Sequence, residues 1–145
     1  MATVHPDRFA GASDAQKRVA MQWSSQINEA YRVLRDPLKR AQYLCELAGY
    51  RANSDAGAGL DMTFLTQQMQ WRESLEQLRE QGRTEPLTEL IEEIEQDRLT
   101  RQTQTGALVD SGQWDAAIKS LHEWMFVEKF LQELTSVRRA LKTTE

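Results

Sequence analysis

The spacing of the apolar residues is the feature that most constrains the fold of this chain. They recur every three or four positions rather than every second one, which is typical of helices with one buried face. The 145 residues include only 3 Pro and 7 Gly, so few positions interrupt that period, and we find no strand candidate. The sequence therefore predicts an all-α protein.

Local start and stop signals divide the amino-terminal part into two helices. Ser13 and Gln16 have the spacing of a capping box, so the first helix should begin near Ser13. It should end by Asp36, because Pro37 has no N–H for a continuing helix, and the same two residues can cap the next one. Gly49 is the natural end of that second helix. Its predicted buried side consists of Ala41, Leu44, Leu47 and Ala48.

A polar, glycine-containing stretch at residues 50–60 predicts a linker. We therefore expect residues 1–49 and residues 61–145 to form separate parts. The second part contains three predicted helices, from about Asp61 to Glu80, from Glu85 to about Val109 and from about Trp114 to Leu141. Because short turns join them, they should pack antiparallel.

The first helix of the second part carries apolar residues on two opposite faces. At about 100° per residue, one narrow stripe predicts the core, and it consists of Phe64, Trp71, Leu75 and Leu78. Met62, Leu65 and Met69 lie on nearly the opposite side. That side is either a docking surface for a partner, to which methionine is suited, or a packing surface for the first helical pair. In the last helix, Phe126 falls off the main apolar stripe.

Composition narrows the functional classes. A net charge of -4 argues against nucleic acid as the main partner, since phosphate binding needs a concentrated basic surface. No run approaches the ~18 apolar residues that span a membrane, and the first residues do not resemble a secretory signal, so we expect a cytoplasmic protein. The single cysteine, Cys45, excludes an internal disulfide and a multi-cysteine metal site, and should be a buried or half-buried small apolar residue.

The sharpest local motif is HPDRF at residues 5–9. An acid–base or metal-binding use of His5 and Asp7 would need further ligands or catalytic partners. The only other histidine, His122, lies among helical residues far along the chain, so we expect it at a helix surface or edge. An enzymatic use of the motif is therefore disfavoured.

The wider context of HPDRF resembles a J-protein. In that class the corresponding loop engages a DnaK-type chaperone and triggers its ATP hydrolysis. Residues 27–37, INEAYRVLRDP, look like J-domain helix III running into helix IV. Residues 38–44, LKRAQYL, are similar to the HscB branch, the J-proteins of iron–sulfur cluster assembly. Residues 61–73 and 114–117 in the carboxyl half also fit that branch.

The resemblance implies a non-enzymatic co-chaperone without a metal or cofactor, built as a partial J-domain helical hairpin followed by a three-helix antiparallel bundle. It implies that a DnaK-type chaperone, HscA in this family, contacts His5, Pro6, Asp7, Arg8, Lys39 and Arg40. Lys39 and Arg40 also belong to the one local basic cluster, which suits an acidic protein patch. It further implies that the iron–sulfur scaffold protein, IscU, binds Leu65, Met69 and Phe126, with Gln70 and Glu73 on the polar edge.

One departure from the family pattern affects the expected activity. Only Met1 to Val4 precede HPDRF, where a J-domain has helix I and a long helix II. We therefore expect both to be largely missing, with a frayed amino-terminal third and an apolar face that loses its packing partner, formed by Val19, Trp23, Ile27 and Leu34. Two functions remain open: an adapter that presents the scaffold and stimulates the chaperone ATPase, or a truncated scaffold-binding module without that stimulation.

Overall fold

The computed structural model describes residues 13–51 and 61–144, and these are α-helical apart from caps and turns. The helices are α1 (Asp14–Arg35), α2 (Pro37–Leu47), α3 (Met62–Gln81), α4 (Thr84–Asp110) and α5 (Trp114–Thr144). The predicted all-α class is confirmed. Most of the predicted linker, residues 52–60, lies outside the described residues.

The chain divides into two compact units, Met1–Arg40 and Ala41–Glu145, and the division falls inside α2. In the first unit, the predicted helix signals are confirmed. The Ser13 hydroxyl accepts from the Gln16 backbone N–H at 3.2 Å, and the Gln16 side chain accepts from the Ser13 N–H at 3.1 Å. Asp36 Oδ1 accepts from the backbone N–H groups that follow Pro37, which starts α2.

The predicted apolar face of α1 is exposed. Val19, Trp23 and Leu34 have exposed fractions of 51%, 55% and 49%. The predicted fraying is not seen within α1, which is a continuous helix from Asp14 to Arg35. Its capping box and the basic residues of its last turn provide local stabilisation that does not depend on burying this face.

In the second unit, the end of α2 buries a narrower face than predicted. Ala41 and Cys45 are buried, as expected for the cysteine, and burial raises the pKa of its thiol. The prediction for Leu47 is wrong, because this side chain is 66% exposed. Leu47 follows Ala41 by six positions. At about 100° per residue, its side chain points roughly 120° away from that of Ala41 around the helix axis. Gly49 ends the helix with φ +90°, as predicted.

Helices α3, α4 and α5 form an up–down–up bundle, joined by turns in which Gly82 and Gly112 have positive φ. Side-chain pairs between α4 and α5 are Arg98–Glu128, Arg101–Glu123 and Thr105–Ser120. In these pairs the residue number on α5 decreases as the residue number on α4 increases, so the two helices are antiparallel. Between α3 and α5 the aromatic rings pair as Phe64–Phe126 and Trp71–Phe130. The residue numbers increase together along both helices, so α3 and α5 run parallel. The predicted antiparallel order is confirmed.

The core of the bundle lies between these helices. The predicted stripe of α3 is confirmed, with Phe64, Trp71 and Leu75 at most 6% exposed and Leu78 packed at the edge of the cluster. The other helices supply Leu87, Leu90, Ile91, Ile94, Val127, Phe130, Leu131 and Leu134. Burying a side chain of this size stabilises a fold by about 1.5–3 kcal/mol, so this cluster provides the main stabilisation of the unit.

A charged cluster, here called the Arg101 clasp, connects all helices of the bundle. Arg101 Nε donates to Asp97 Oδ2 at 2.6 Å, and its Nη1 donates to Glu123 Oε2 at 2.8 Å. Its Nη2 donates to Gln67 Oε1 at 3.4 Å, and the guanidinium carbon lies 4.3 Å from the Phe64 ring centroid. Burial raises the pKa of Glu123, and the charge of Arg101 opposes that rise.

Candidate docking surface

The residues predicted to contact the chaperone are only partly described by the structure. His5, Pro6, Asp7 and Arg8 lie outside the described residues. Lys39 and Arg40 are exposed in the first turn of α2. Arg40 Nη1 donates to the backbone carbonyl of Leu34 at 3.3 Å, so this cation is positioned where α1 ends and α2 begins.

The apolar strip of α3, here the α3 strip, comprises Met62, Leu65 and Met69. Met62 and Met69 are 74% and 73% exposed, whereas Leu65 is half-buried. Large apolar side chains with three-quarters of their area in solvent do not contribute to the core of this bundle. The strip is therefore available for a contact with another molecule.

A helix cap fixes the start of the α3 strip. The Asp61 carboxylate accepts from the Phe64 backbone N–H at 2.8 Å, and Lys119 Nζ lies 3.6 Å from its other oxygen. The hydrogen bond from Phe64, assisted by the charge of Lys119, lowers the pKa of Asp61. The first turn of α3 is thereby held in a defined position at neutral pH.

Phe126 of α5 lies beside this first turn. Its ring centroid is 6.4 Å from that of Phe64, with the planes inclined by 56°. Phe126 is half-buried and packs at the edge of the core, so it is less isolated than its position off the sequence stripe indicated. Because α5 packs against two helices, its buried arc is wider than a single stripe. Phe64 directly precedes Leu65, so Phe126 and the α3 strip lie at the same end of the bundle.

Polar and charged residues flank the strip. Gln70 and Glu73 are both exposed on α3. Arg72 of the same helix makes a bidentate contact with Glu133 of α5, at 3.1 and 3.0 Å. The hydrogen bonds from Arg72 lower the pKa of Glu133, and those to Glu133 raise the pKa of Arg72. This pair spans the surface between α3 and α5.

The site prediction left out Met62. Its angular position beside Leu65 and Met69 is visible in the sequence, and its exposed fraction of 74% is about that of Met69. His122 was expected at a helix surface or edge; it lies on α5 with intermediate exposure, and burial lowers its pKa. Within residues 13–51 and 61–144, no group of three or more His, Cys, Asp or Glu side chains could hold a metal ion. In that same part of the chain, no helix is long and apolar enough to cross a membrane.

Comparison with known proteins identifies the relatives of this chain. Residues 60–135 match the family model of the HSCB C-terminal oligomerisation domain. The chain is similar to the co-chaperone protein HscB homolog of Bordetella petrii, with 49% identity over 140 residues, 96% of this chain and 81% of that protein. It is 44% identical to the homolog of Burkholderia multivorans, covering 97% of this chain and 80% of that protein.

A solved structure agrees with these sequence matches. The chaperone HscB from Vibrio cholerae superposes with a TM-score of 0.80 and 31% identity, over 97% of this chain and 82% of that one. An all-helical fold and relatives that are co-chaperones define this protein as a co-chaperone and not as an enzyme. The chain belongs to the HscB family, of whose sequence relatives it spans about four fifths.

Proposed function

We propose that this co-chaperone is an adapter in iron–sulfur cluster assembly. The α3 strip and Phe126, with Gln70 and Glu73 at the edge, bind the scaffold protein IscU. The amino-terminal region, through residues 5–8 with Lys39 and Arg40, presents the scaffold to the DnaK-type chaperone HscA and stimulates its ATPase.

The observation that carries the scaffold contact is the exposure of two methionines on the α3 strip. Met62 and Met69 leave about three quarters of their area in solvent, and the half-buried Phe126 lies at the same end of the bundle. Methionine adapts its shape to a partner surface, and an aromatic anchor with a polar surround is the usual composition of a binding hot spot. The strip thus has the chemistry of an interface core, with Gln70 and Glu73 as its rim.

The chaperone contact is supported by charge and by the chemistry of the amino-terminal motif. Lys39 and Arg40 present two exposed cations in one turn of α2, which suits an acidic patch on a partner. In the motif, Pro6 stiffens the backbone, and Asp7 can accept hydrogen bonds from a partner arginine. These residues carry out no chemistry of their own; their binding free energy would shift a conformational equilibrium of the chaperone.

The scaffold contact is tested by isothermal titration calorimetry of the full chain with purified IscU. Met69→Ala should weaken binding by about 1–2 kcal/mol, without a change in the free energy of unfolding, because the side chain is mostly exposed. Leu99→Ala is the matched control, since Leu99 is an exposed apolar residue on α4. Equal affinities of the Met69→Ala variant and the unmodified chain would rule out the strip as the docking surface.

The adapter role is tested by steady-state ATP hydrolysis of HscA plus IscU, with and without this chain. We expect stimulation that His5→Gln abolishes while the calorimetric affinity for IscU stays unchanged. Scaffold binding without any stimulation would identify the chain as a scaffold-binding module. Loss of both activities in His5→Gln would contradict the division of labour between the two regions.

A further inference from the structure

The methionine side chains of this chain differ in how far solvent reaches them. Four of the five methionines lie among the described residues. Met62 and Met69 of the α3 strip are 74% and 73% exposed, and Met21 on α1 is 61% exposed. Met125 on α5 is half-buried, and its sulfur accepts a hydrogen bond from Gln42 Nε2 at 3.5 Å. A dissolved oxidant should therefore reach the sulfurs of the strip more easily than the sulfur of Met125.

Met62 and Met69 lie on one face of α3. At about 100° per residue, these two residues and Leu65 fall within about 60° around the helix axis. The Cα atoms of the two methionines are about 10 Å apart along that axis. Oxidation of both would place two polar groups on the same narrow apolar surface. The half-buried Leu65 would then be the one apolar member of the α3 strip.

The oxidation of a methionine by a hydroperoxide is a two-electron transfer of one oxygen atom. The thioether sulfur attacks one peroxide oxygen, so an S–O bond forms while the O–O bond breaks. The sulfur is oxidised and the peroxide is reduced. The proton on the transferred oxygen passes to the departing oxygen, which leaves as water or as an alcohol. The product, methionine sulfoxide, is polar and chiral, and methionine sulfoxide reductases convert it back to the thioether.

The fold should tolerate this change, because neither methionine supports the core. The core side of α3 is formed by Phe64, Trp71 and Leu75, which are at most 6% exposed. Met62 and Met69 already have about three quarters of their area in solvent. Their oxidation therefore alters the surface while the bundle stays folded, and a reversible switch requires both conditions.

We propose that Met62 and Met69 form a reversible oxidation site that switches off docking at the α3 strip. Oxidation replaces two apolar, adaptable thioethers by polar sulfoxides, and burying these against an apolar partner surface costs free energy. The co-reactant of this site is a hydroperoxide, and a methionine sulfoxide reductase reverses the modification. The effect on docking rests on the proposed function, whereas the reactivity of the two sulfurs does not.

The modification is tested on the full chain with hydrogen peroxide as the oxidant. Peptide mass spectrometry over a time course measures the oxygen added at each methionine. Met62 and Met69 should be oxidised about fivefold faster than Met125, because their sulfurs are more accessible. Circular dichroism should show unchanged helix content and Tm once both are oxidised. Oxidation of Met125 at the same rate as Met62 and Met69 would overturn the site.

The effect on docking is measured by calorimetry with purified IscU, after catalase has removed the peroxide so that the scaffold is never oxidised. The oxidised chain should bind about tenfold more weakly. Methionine sulfoxide reductases A and B, which act on the two epimers, should restore the affinity. The variant that combines Met62→Leu with Met69→Leu should bind like the native chain, because the side-chain volumes are similar, and should keep its affinity after peroxide. Met21→Leu is the matched control: it removes an exposed methionine from α1 and should leave binding sensitive to peroxide.

The outcomes distinguish this proposal from the proposed function. If the untreated chain binds IscU and the oxidised chain binds equally well, the switch is wrong, and Met69→Ala alone decides whether the strip is the docking surface. Equal losses of affinity in the treated double leucine variant and the treated native chain would locate the damage elsewhere and would also overturn the proposal. If the untreated chain does not bind IscU, the proposed function is wrong and the switch with it. In that case the oxidation rates still decide whether the two sulfurs are the site of modification.

Discussion

Replacing Arg101 by methionine should destabilise the bundle far more than an ordinary surface change. The substitution keeps a long side chain that can still cover Phe64, but it removes the cation that forms an ion pair with Glu123. The side chains of Arg101 and Glu123 are 12% and 14% exposed. Glu123 would therefore remain largely buried without an opposite charge in contact.

The magnitude follows from this burial. Removing one partner of a buried ion pair costs about 3–5 kcal/mol, because the remaining charge stays desolvated. The clasp lies at the edge of the core, so we expect the lower end, about 3 kcal/mol. For a domain of this size, that loss corresponds to about 12–24 °C in Tm.

The loss should depend on pH with a defined sign. Burial raises the pKa of Glu123, and Arg101 opposes that rise, so the variant should have a still higher folded-state pKa. A raised folded-state pKa means that the native state binds the proton more tightly than the unfolded chain does. The deficit should be full at neutral pH and should shrink as pH falls through that pKa towards the unfolded value of about 4.3.

The assay is urea unfolding at a series of pH values, followed by the fluorescence of the buried Trp71 and Trp124 and by circular dichroism. Arg98→Met is the control, since Arg98 and Glu128 are 3.6 Å apart and 33% and 28% exposed. We expect about 0.5–1 kcal/mol for that pair. Adding Glu123→Gln to Arg101→Met should restore about 1 kcal/mol or more at neutral pH and flatten the pH dependence. A loss for Arg101→Met no larger than for Arg98→Met would refute the reasoning.

Three further predictions concern single side chains. Thr105 is fully buried and its hydroxyl lies 2.6 Å from that of Ser120, so Thr105→Val should cost about 1–2 kcal/mol in thermal unfolding, and the exposed Thr103→Val much less. The buried Cys45 thiol, with its raised pKa, should react with Ellman's reagent only slowly until denaturant exposes it; rapid native labelling would contradict its burial. Asp61→Ala removes the cap of α3 and should lower the Tm near pH 7; because the folded-state pKa of Asp61 lies below its usual 3.8, this difference should disappear as pH falls through the folded value.

The sequence predicted those features that depend on neighbours along the chain. The capping box of Ser13 and Gln16 and the short turns between the three helices of the bundle rest on backbone geometry within a few residues, and both are confirmed. The core face of α3 was also predictable, because an angular stripe needs no knowledge of the partner helix. The prediction for Leu47 is wrong because it followed the apolar character of the residue, whereas its helical angle points away from Ala41, and the side chain is exposed.

The Arg101 clasp could not be predicted by the same means. The acceptors of Arg101 come from α4, α5 and α3, and they lie 4, 22 and 34 positions from it along the chain. Charged residues on helices are normally solvent-exposed. Only the packing of three helices brings a cation, two carboxylates and a ring together. The exposure of Met69 was likewise undecided in the sequence, because one apolar strip can pack inside a fold or face a partner.

The clasp and the proposed docking surface meet at Phe64, and this has a consequence for binding. The Asp61 carboxylate holds the backbone N–H of Phe64, Arg101 covers one side of its ring, and Phe126 packs against the ring. These contacts fix the turn of α3 from which Leu65 projects. A docking surface gains affinity when its backbone is already ordered, because less conformational entropy is lost on binding. Rigid support below the strip and flexible methionines on it therefore serve different purposes: the support lowers the entropic cost, and the methionines adjust to the shape of the partner.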